Sequence, residues 1–239
     1  MDFIKRLKLY GDSILKGVQL NFQNKKYSVD NRIGFAEIEA QYGVEIENCS
    51  RFGCTVTKGA QLLQKALDGG LQCDAVLMDF GGNDCDFKWE SISNNPNAEH
   101  LPNTPIQTFT ETYKNMIRAL KDREILPILT TLPPIDPERY FNWFCQGGEL
   151  NRGNILQWLG DITTIYRYQE RYSRQIEKIA EEENCPLIDL RGAFLENRKI
   201  GAFLCQDGIH PNTEGQRIIG RTIAGFFSSL KTMPTPEAV

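Results

Sequence analysis

Residues 5–13 read KRLKLYGDS, so a short apolar run ends in glycine, aspartate and serine. The run within residues 5–10 predicts a β-strand, and Gly11 can adopt the unusual backbone angles of a sharp turn. We expect Ser13 to open a helix directly after this turn. The N-terminus of such a helix would favour negative charge that develops beside the serine.

Four further apolar runs follow and are separated by amphipathic stretches. Strands are predicted near residues 5–10, 44–49, 75–80, 125–131 and 187–190. Helical spacing of apolar residues predicts helices around 62–67 and 109–120, and longer helices over 162–183 and 213–230. This alternation predicts a mostly parallel sheet, with helices on both faces because crossover connections are right-handed.

Length and composition limit the class of protein. The 239 residues, 41% of them apolar, fit one domain over 1–239 with a large core. A net charge of −4, a pI of about 5.4 and the lack of a dense basic run argue against a nucleic-acid partner. Charges in the first ten residues and the lack of a membrane-span-length apolar stretch predict a cytoplasmic protein. The seven cysteines lack Cys-x-x-Cys spacing and are expected to be reduced.

Polar residues follow the predicted strands at the edge of the sheet where ligands bind. Ser13 follows the first strand, Gly53 the second, and Asn83 the third. Ligands of open parallel sheets bind outside the carboxyl ends of the strands, so these residues are expected to share one crevice. One of the two histidines, His210, lies three residues after Asp207. A neutral imidazole can take a serine proton while a carboxylate fixes its tautomer, and this pair meets both needs.

The chain resembles the SGNH hydrolases of the GDSL esterase and lipase superfamily. The four motifs of that family occur in the same order here, around Ser13, Gly53, Asn83 and the pair of Asp207 and His210. The resemblance spans residues 7 to about 220 and implies a flavodoxin-like three-layer α/β/α sandwich with a five-stranded parallel sheet. It implies Ser13 as nucleophile and Asp207 with His210 as its partners. The oxyanion hole would be formed by the backbone N–H groups of Ser13 and Gly53 and by the amide of Asn83. The first motif reads Gly-Asp-Ser-Ile and lacks the family's leucine, a packing position. No metal or organic cofactor is expected.

Each motif also has a simpler interpretation. Gly-Asp-Ser and Gly-Gly-Asn-Asp are typical of ordinary turns. Asp84 and Asp86 are expected to be solvated loop acids and not metal ligands. His100 lies in a polar stretch and is expected to be an exposed loop residue. The joint occurrence of the motifs at successive strand ends favours the catalytic interpretation.

Residues 133–168 are long for a connection between a strand and a helix and are rich in aromatic residues. They are expected to form a cap insertion over the site, with Tyr140, Trp143 and Phe144 as substrate-binding candidates. Alternatively, their apolar side chains pack a helical hairpin onto the body, or they form a homodimer surface.

The expected activity is hydrolysis of esters with small or short acyl groups, O-acetylated carbohydrates among them. Three alternatives stay open: a thioesterase or lysophospholipase, an acyltransferase that uses the same serine, and a ligand-binding module without catalysis.

Overall fold

The computed structural model describes residues 4–21, 23–30 and 34–232. Its strands are β1 (Arg6–Gly11), β2 (Val18–Leu20), β3 (Tyr27–Val29), β4 (Glu45–Asn48), β5 (Ala75–Asp79), β6 (Leu126–Thr130) and β7 (Leu187–Ile188). Its α-helices are α1 (Phe35–Tyr42), α2 (Val56–Asp68), α3 (Trp89–Asn94), α4 (Ile106–Lys121), α5 (Pro137–Cys145), α6 (Arg152–Leu159), α7 (Thr163–Glu182), α8 (Leu190–Leu195) and α9 (Thr213–Thr232). Within these ranges, no helix is both long and apolar enough to cross a membrane.

Five of the strands form one parallel sheet in the order β4-β1-β5-β6-β7. When these five strands are counted along the chain, the order is 2-1-3-4-5, as in flavodoxin-like folds. The register places Gly11 beside Asp79, so the turns after β1 and β5 begin at the same level. The predicted five-stranded parallel sheet is therefore confirmed. Strands β2 and β3 form a separate antiparallel hairpin that the sequence pattern did not indicate.

Helices cover both faces of the sheet because successive side chains of a strand point to opposite sides. Val76 and Met78 of β5 pack with α2, α4 and α7 in one buried cluster. Ala75 and Leu77 of the same strand pack with α1, α8 and α9 in a second cluster. The β5 strand is buried along its whole length, as expected for a central parallel strand. The predicted three-layer α/β/α sandwich is confirmed.

The segment after β1 differs from its prediction. The predicted helix at Ser13 does not form: residues 13–17 make a single turn, in which the Val18 N–H donates to the Ser13 carbonyl at 2.9 Å. Gly17 ends this turn with a φ of 74°, and the chain continues into the β2–β3 hairpin. Left-handed backbone of this kind stops helix propagation.

Residues 133–168 contain α5, α6 and the start of α7. They form a third apolar cluster together with α3 and the residues that precede it. Phe141 and Ile155 are completely buried in this cluster. The cluster lies outside the two that flank the sheet, so this part of the molecule has an apolar core of its own.

Two helical glycines provide a matched test of packing in the fold. A Cβ atom at Gly59 of α2 would collide with the buried ring of Phe80, whereas one at Gly225 of α9 would meet nothing within 4 Å. We expect Gly59→Ala to lower the free energy of unfolding by about 1–2 kcal/mol, because the clash outweighs the gain in helix propensity. Gly225→Ala should raise it by roughly 0.5–1 kcal/mol. Urea denaturation measures both. Stabilisation by Gly59→Ala would contradict the packing of α2 on the sheet.

Candidate active site

Three of the predicted residues form one continuous hydrogen-bonded chain. His210 Nε2 lies 2.9 Å from Ser13 Oγ, and His210 Nδ1 lies 2.7 Å from Asp207 Oδ2. All three side chains are buried. The structure therefore brings together a hydroxyl, an imidazole and a carboxylate from the two ends of the chain.

The electrostatics of Asp207 determine the tautomer of the histidine. Burial works to raise the pKa of Asp207, but hydrogen bonds from the ring and backbone of His210 and from the Ile209 N–H hold it below its usual value. An ionised carboxylate can only accept hydrogen bonds, so Nδ1 of His210 carries the proton. In the neutral ring, Nε2 then accepts from the Ser13 hydroxyl. This is the proton arrangement that a serine nucleophile requires.

The loop that carries Asp207 and His210 is shaped by Gly208 and by the start of α5. Gly208 has a φ of 76°, and a Cβ atom there would lie 2.6 Å from the Asp136 carbonyl oxygen and 2.9 Å from the Tyr140 nitrogen. The Asp136 N–H in turn donates to the Gly208 carbonyl at 2.8 Å. The helix that follows β6 therefore packs directly on the histidine loop, and only glycine fits between them.

Two aromatic rings that the sequence analysis did not single out cover the histidine. Phe52 stacks on the His210 ring with centroids 5.9 Å apart, and Tyr27 meets it edge-on at 5.2 Å. Phe52 is 55% exposed and Tyr27 40% exposed, so these rings form a rim and not core. Phe52 directly precedes Gly53 and could have been found from that position. Tyr27 lies on the hairpin, where no motif marked it.

The three N–H groups that the resemblance implies for an oxyanion hole differ in their hydrogen bonds. Within the described ranges, the backbone N–H groups of Ser13 and Gly53 donate to no protein acceptor. The Asn83 side-chain amide donates to Asp12 Oδ2 at 2.9 Å and approaches the Cys54 carbonyl at 3.4 Å. Gly53 has a φ of 67°, and a Cβ atom there would meet nothing within 4 Å. A side chain at Gly53 would therefore not collide with the protein, and the obstacle to one is the left-handed backbone.

The acids that follow Asn83 are not solvated, contrary to the sequence-based expectation. Asp84 is completely buried, and both of its oxygens accept from the Val56 N–H at the start of α2, at 3.0 and 3.1 Å. A helix N-terminus favours a carboxylate in this position. Asp84 thereby ties the Asn83 loop to α2. Asp86 is partly buried and accepts from Tyr140 OH at 2.6 Å and from Trp89 Nε1 at 2.9 Å. Tertiary packing against helices buries Asp84 completely and Asp86 in part.

A cavity of about 320 Å³ opens beside the serine. Ser13, Asn83 and His210 line one end. The predicted substrate-binding residues Tyr140, Trp143 and Phe144 line it as well, and each is partly buried.

The second histidine, His100, is not among the residues that line this cavity. His100 is partly exposed, bonds the Asn95 carbonyl at 2.7 Å and packs on Trp158. Among residues 4–21, 23–30 and 34–232, no three His, Cys, Asp or Glu side chains are grouped so that they could hold a metal ion. All seven cysteines fall within these ranges and are free thiols.

Two carboxyl groups lie beneath the site. Burial and the nearby carboxyl of Asp79 raise the pKa of Asp12 to about 8, while the bond from the Ile14 N–H acts in the opposite direction. Burial likewise raises the pKa of Asp79 to about 7. One Asp79 oxygen accepts from Thr130 at 3.0 Å, and the other has no hydrogen-bond partner in the described part of the chain. Both groups are therefore protonated in the folded protein at pH values where ordinary aspartates are ionised.

Comparisons with known proteins show the family to which the chain belongs. Residues 9–218 match the model of the GDSL-like lipase/acylhydrolase family. The chain belongs to this family and is a hydrolase, which confirms the resemblance drawn from its motifs. No curated protein sequence matches the chain.

Solved structures share the fold at low sequence identity. A lipase/acylhydrolase from Enterococcus faecalis is 21% identical, with 97% of this chain and 99% of that chain covered and a TM-score of 0.63. An alpha/beta hydrolase from the metagenome of Lake Arreo, Spain, is 22% identical over 95% and 96% of the two chains, with a TM-score of 0.63. A catalytic mutant of an acetylxylan esterase from Geobacillus stearothermophilus is 18% identical over 93% and 94%, with a TM-score of 0.62.

The burial of Asp79 predicts a pH dependence of stability. Its folded pKa is raised, so the folded state keeps a proton that the unfolded state loses between about pH 4 and pH 7. The natural protein should therefore lose stability relative to the Asp79→Asn variant as pH rises through this window. The difference between their free energies of unfolding, natural protein minus variant, should fall by on the order of 2–4 kcal/mol. Urea denaturation at several pH values measures the difference. The exposed Asp122→Asn serves as control and should show little pH-dependent difference. A difference that grows with pH would mean that Asp79 is ionised in the folded protein.

Proposed function

We propose that this hydrolase cleaves carboxylic esters with small or short acyl groups through an acyl-serine intermediate. The observation that carries the proposal is the buried chain of hydrogen bonds from Ser13 through His210 to Asp207. A serine hydroxyl is a weak nucleophile until a base removes its proton, and His210 Nε2 lies within hydrogen-bond reach of that proton. The same site is the proposed location of the whole reaction.

In the proposed mechanism, His210 takes the Ser13 proton as the hydroxyl oxygen attacks the ester carbonyl. Asp207 holds the ring and stabilises the imidazolium that forms. The imidazolium then protonates the leaving alcohol, and an acyl-serine remains. In the second half of the cycle, His210 takes a proton from a water molecule as the water oxygen attacks the acyl-serine. The imidazolium then gives this proton to Ser13 Oγ as the acid is released. The cycle needs no group beyond water and the side chains of this chain.

Charge that develops on the carbonyl oxygen is proposed to be met by the N–H groups of Ser13 and Gly53 and by the amide of Asn83. The two backbone donors have no protein acceptor among the described residues, so they can bind an oxyanion without losing a bond. The bond from the Asn83 amide to Asp12 fixes its orientation, and the other contact of this amide, to the Cys54 carbonyl, is long at 3.4 Å and can be exchanged for a bond to the substrate. Each such donor contributes roughly 3 kcal/mol to lowering the barrier.

The proposed substrate class follows from the cavity. We propose that residues 133–168 cap it, because Tyr140, Trp143 and Phe144 line the same cavity as Ser13. A volume of about 320 Å³ is near the lower end of the range for small-molecule sites. This size suits acetyl to butyryl groups better than long acyl chains, and an O-acetylated carbohydrate stays within the proposal. Coenzyme A thioesters fit less well, since within the described ranges no Lys or Arg lines the cavity to meet their phosphates.

Replacement of the nucleophile is the direct test. Ser13→Ala should lower the turnover of p-nitrophenyl acetate by roughly 10⁴-fold or more and abolish covalent labelling by a fluorophosphonate, while the protein stays folded. Ser50→Ala is the matched control: Ser50 is also buried, follows β4, and its hydroxyl has no partner in the described part of the chain. It should keep both turnover and labelling. Labelling of another serine in the Ser13→Ala variant would make that serine the nucleophile.

The cap is tested with p-nitrophenyl esters of increasing chain length. The natural protein should turn over acetyl to butyryl esters fastest, and the rate should fall well before octanoyl. Replacing both Trp143 and Phe144 by alanine should shift the preference to longer chains, because the side chains that limit the cavity are shortened. Leu156→Ala changes an exposed residue of α6 in the same segment and should leave the profile unaltered. A rate that climbs beyond octanoyl, or an unchanged profile in a folded double variant, would refute the cap.

A further inference from the structure

The wall of the cavity beyond the serine is an aromatic cage. Its rings belong to the loop after β5, to α3, to α5 and to α7, and they are Phe87, Trp89, Tyr140, Trp143, Phe144 and Tyr168. Trp89 stacks on Phe144 at 4.5 Å, whereas Tyr140 meets Phe144 at 74° and Phe87 meets Tyr168 at 90°. Aromatic rings carry partial negative charge on their faces, so a wall built of several rings can attract a positive charge.

A carboxylate stands within this cage. Asp86 lines the cavity, and its two oxygens accept from Tyr140 OH at 2.6 Å and from Trp89 Nε1 at 2.9 Å. Burial raises the pKa of Asp86 to about 6, and the bonds from Tyr140 and Trp89 limit the rise. At pH 8 the group is therefore ionised. Each oxygen keeps a further lone pair for a ligand.

The charged groups of this wall are of one sign. The Tyr140 hydroxyl and the Trp89 N–H are used by Asp86, and the Gln169 amide N–H donates to the Pro133 carbonyl at 2.7 Å. Over the described ranges, no Lys or Arg lines the cavity, so an anionic group of a ligand would find no cationic side chain there. Rings and a carboxylate without an opposing cation match one ligand chemistry best.

We propose that this cage binds an alkylammonium group of the ester substrate, with Asp86 as the carboxylate that determines specificity for its positive charge. The inference rests on the proposed hydrolysis at Ser13, because the cage and the serine line one cavity. Aromatic faces attract a cation, most strongly when it is desolvated, and a carboxylate in the same wall adds to the attraction. A neutral group of the same shape gains only the apolar contacts.

The experiment compares tetramethylammonium with tert-butanol, a neutral compound of similar shape, as competitive inhibitors of p-nitrophenyl acetate hydrolysis at pH 8 and constant ionic strength. We expect the inhibition constant of tetramethylammonium to be at least about tenfold lower. Equal inhibition constants, or tighter binding of tert-butanol, would overturn the proposal. The comparison uses the natural protein, so its outcome does not depend on whether a variant folds.

Two variants then test whether Asp86 is the carboxylate that attracts the cation. Asp86→Asn keeps the shape of the side chain and should reduce the ratio of the two inhibition constants to within about threefold. Glu138→Gln removes an equal charge from the exposed side of α5 and should keep the natural ratio. If Asp86 only joins the β5 loop to α5, its replacement will change stability and overall rates while the ratio stays as it was. That result would remove Asp86 from the specificity site.

Failure of the proposed function would look different. If the folded protein hydrolyses no p-nitrophenyl ester, the proposed ester hydrolysis at Ser13 is wrong. Isothermal titration with the same two compounds still tests the cage in that case, because binding can be measured without turnover. If hydrolysis depends on Ser13 but the two compounds bind equally well, the hydrolase proposal stands and the cation proposal falls.

Discussion

The contact between His210 Nε2 and Ser13 Oγ joins residues 197 positions apart in the chain, and the arrangement around it serves to keep these two atoms 2.9 Å apart. One atom is fixed by the end of β1, whose register with β5 is set by backbone hydrogen bonds. The other is fixed by a loop that α5 can approach only because residue 208 is glycine. A shift of either support would break a bond that depends on a few tenths of an ångström. The site is thus a property of the sheet edge as a whole.

Buried acids at this edge of the sheet hold neighbouring groups in place and also affect the stability of the fold. Asp84 holds the start of α2 to the loop of Asn83, and Asp12 orients the Asn83 amide. Asp79 contributes no comparable bond on its second oxygen, and its burial disfavours ionisation. A buried carboxyl group of this kind lowers the free energy of unfolding at neutral pH. Buried acids with raised pKa values are common at active sites.

The aromatic cluster of α3, α5, α6 and α7 has its own apolar core, separate from the two clusters that flank the sheet. The sheet edge supplies the groups proposed to carry out the chemistry, while this cluster supplies an aromatic part of the cavity wall. The division explains how one fold can serve different substrates. Changes in the cluster that keep the contact between α5 and Gly208 can alter the shape and charge of the cavity without moving Ser13 or His210.

The sequence alone determined the parts of this protein that depend on local pattern. Apolar runs separated by amphipathic stretches predicted all five strands of the parallel sheet, because burial on both faces demands such runs. The motifs at the ends of these strands predicted which residues meet, since carboxyl ends of parallel strands share one edge. The family followed from the same motifs.

Tertiary structure decided what local pattern could not. Residues 13–17 form a single turn and not a helix because Gly17 is left-handed and the chain pairs into a hairpin. Asp84 and Asp86 resemble solvated loop acids in sequence, but α2 and α5 pack against them and bury them. Phe52 and Tyr27 cover the histidine from separate loops. Each of these outcomes depends on contacts between residues far apart in the chain, and such contacts leave no periodicity in the sequence because no single segment determines them.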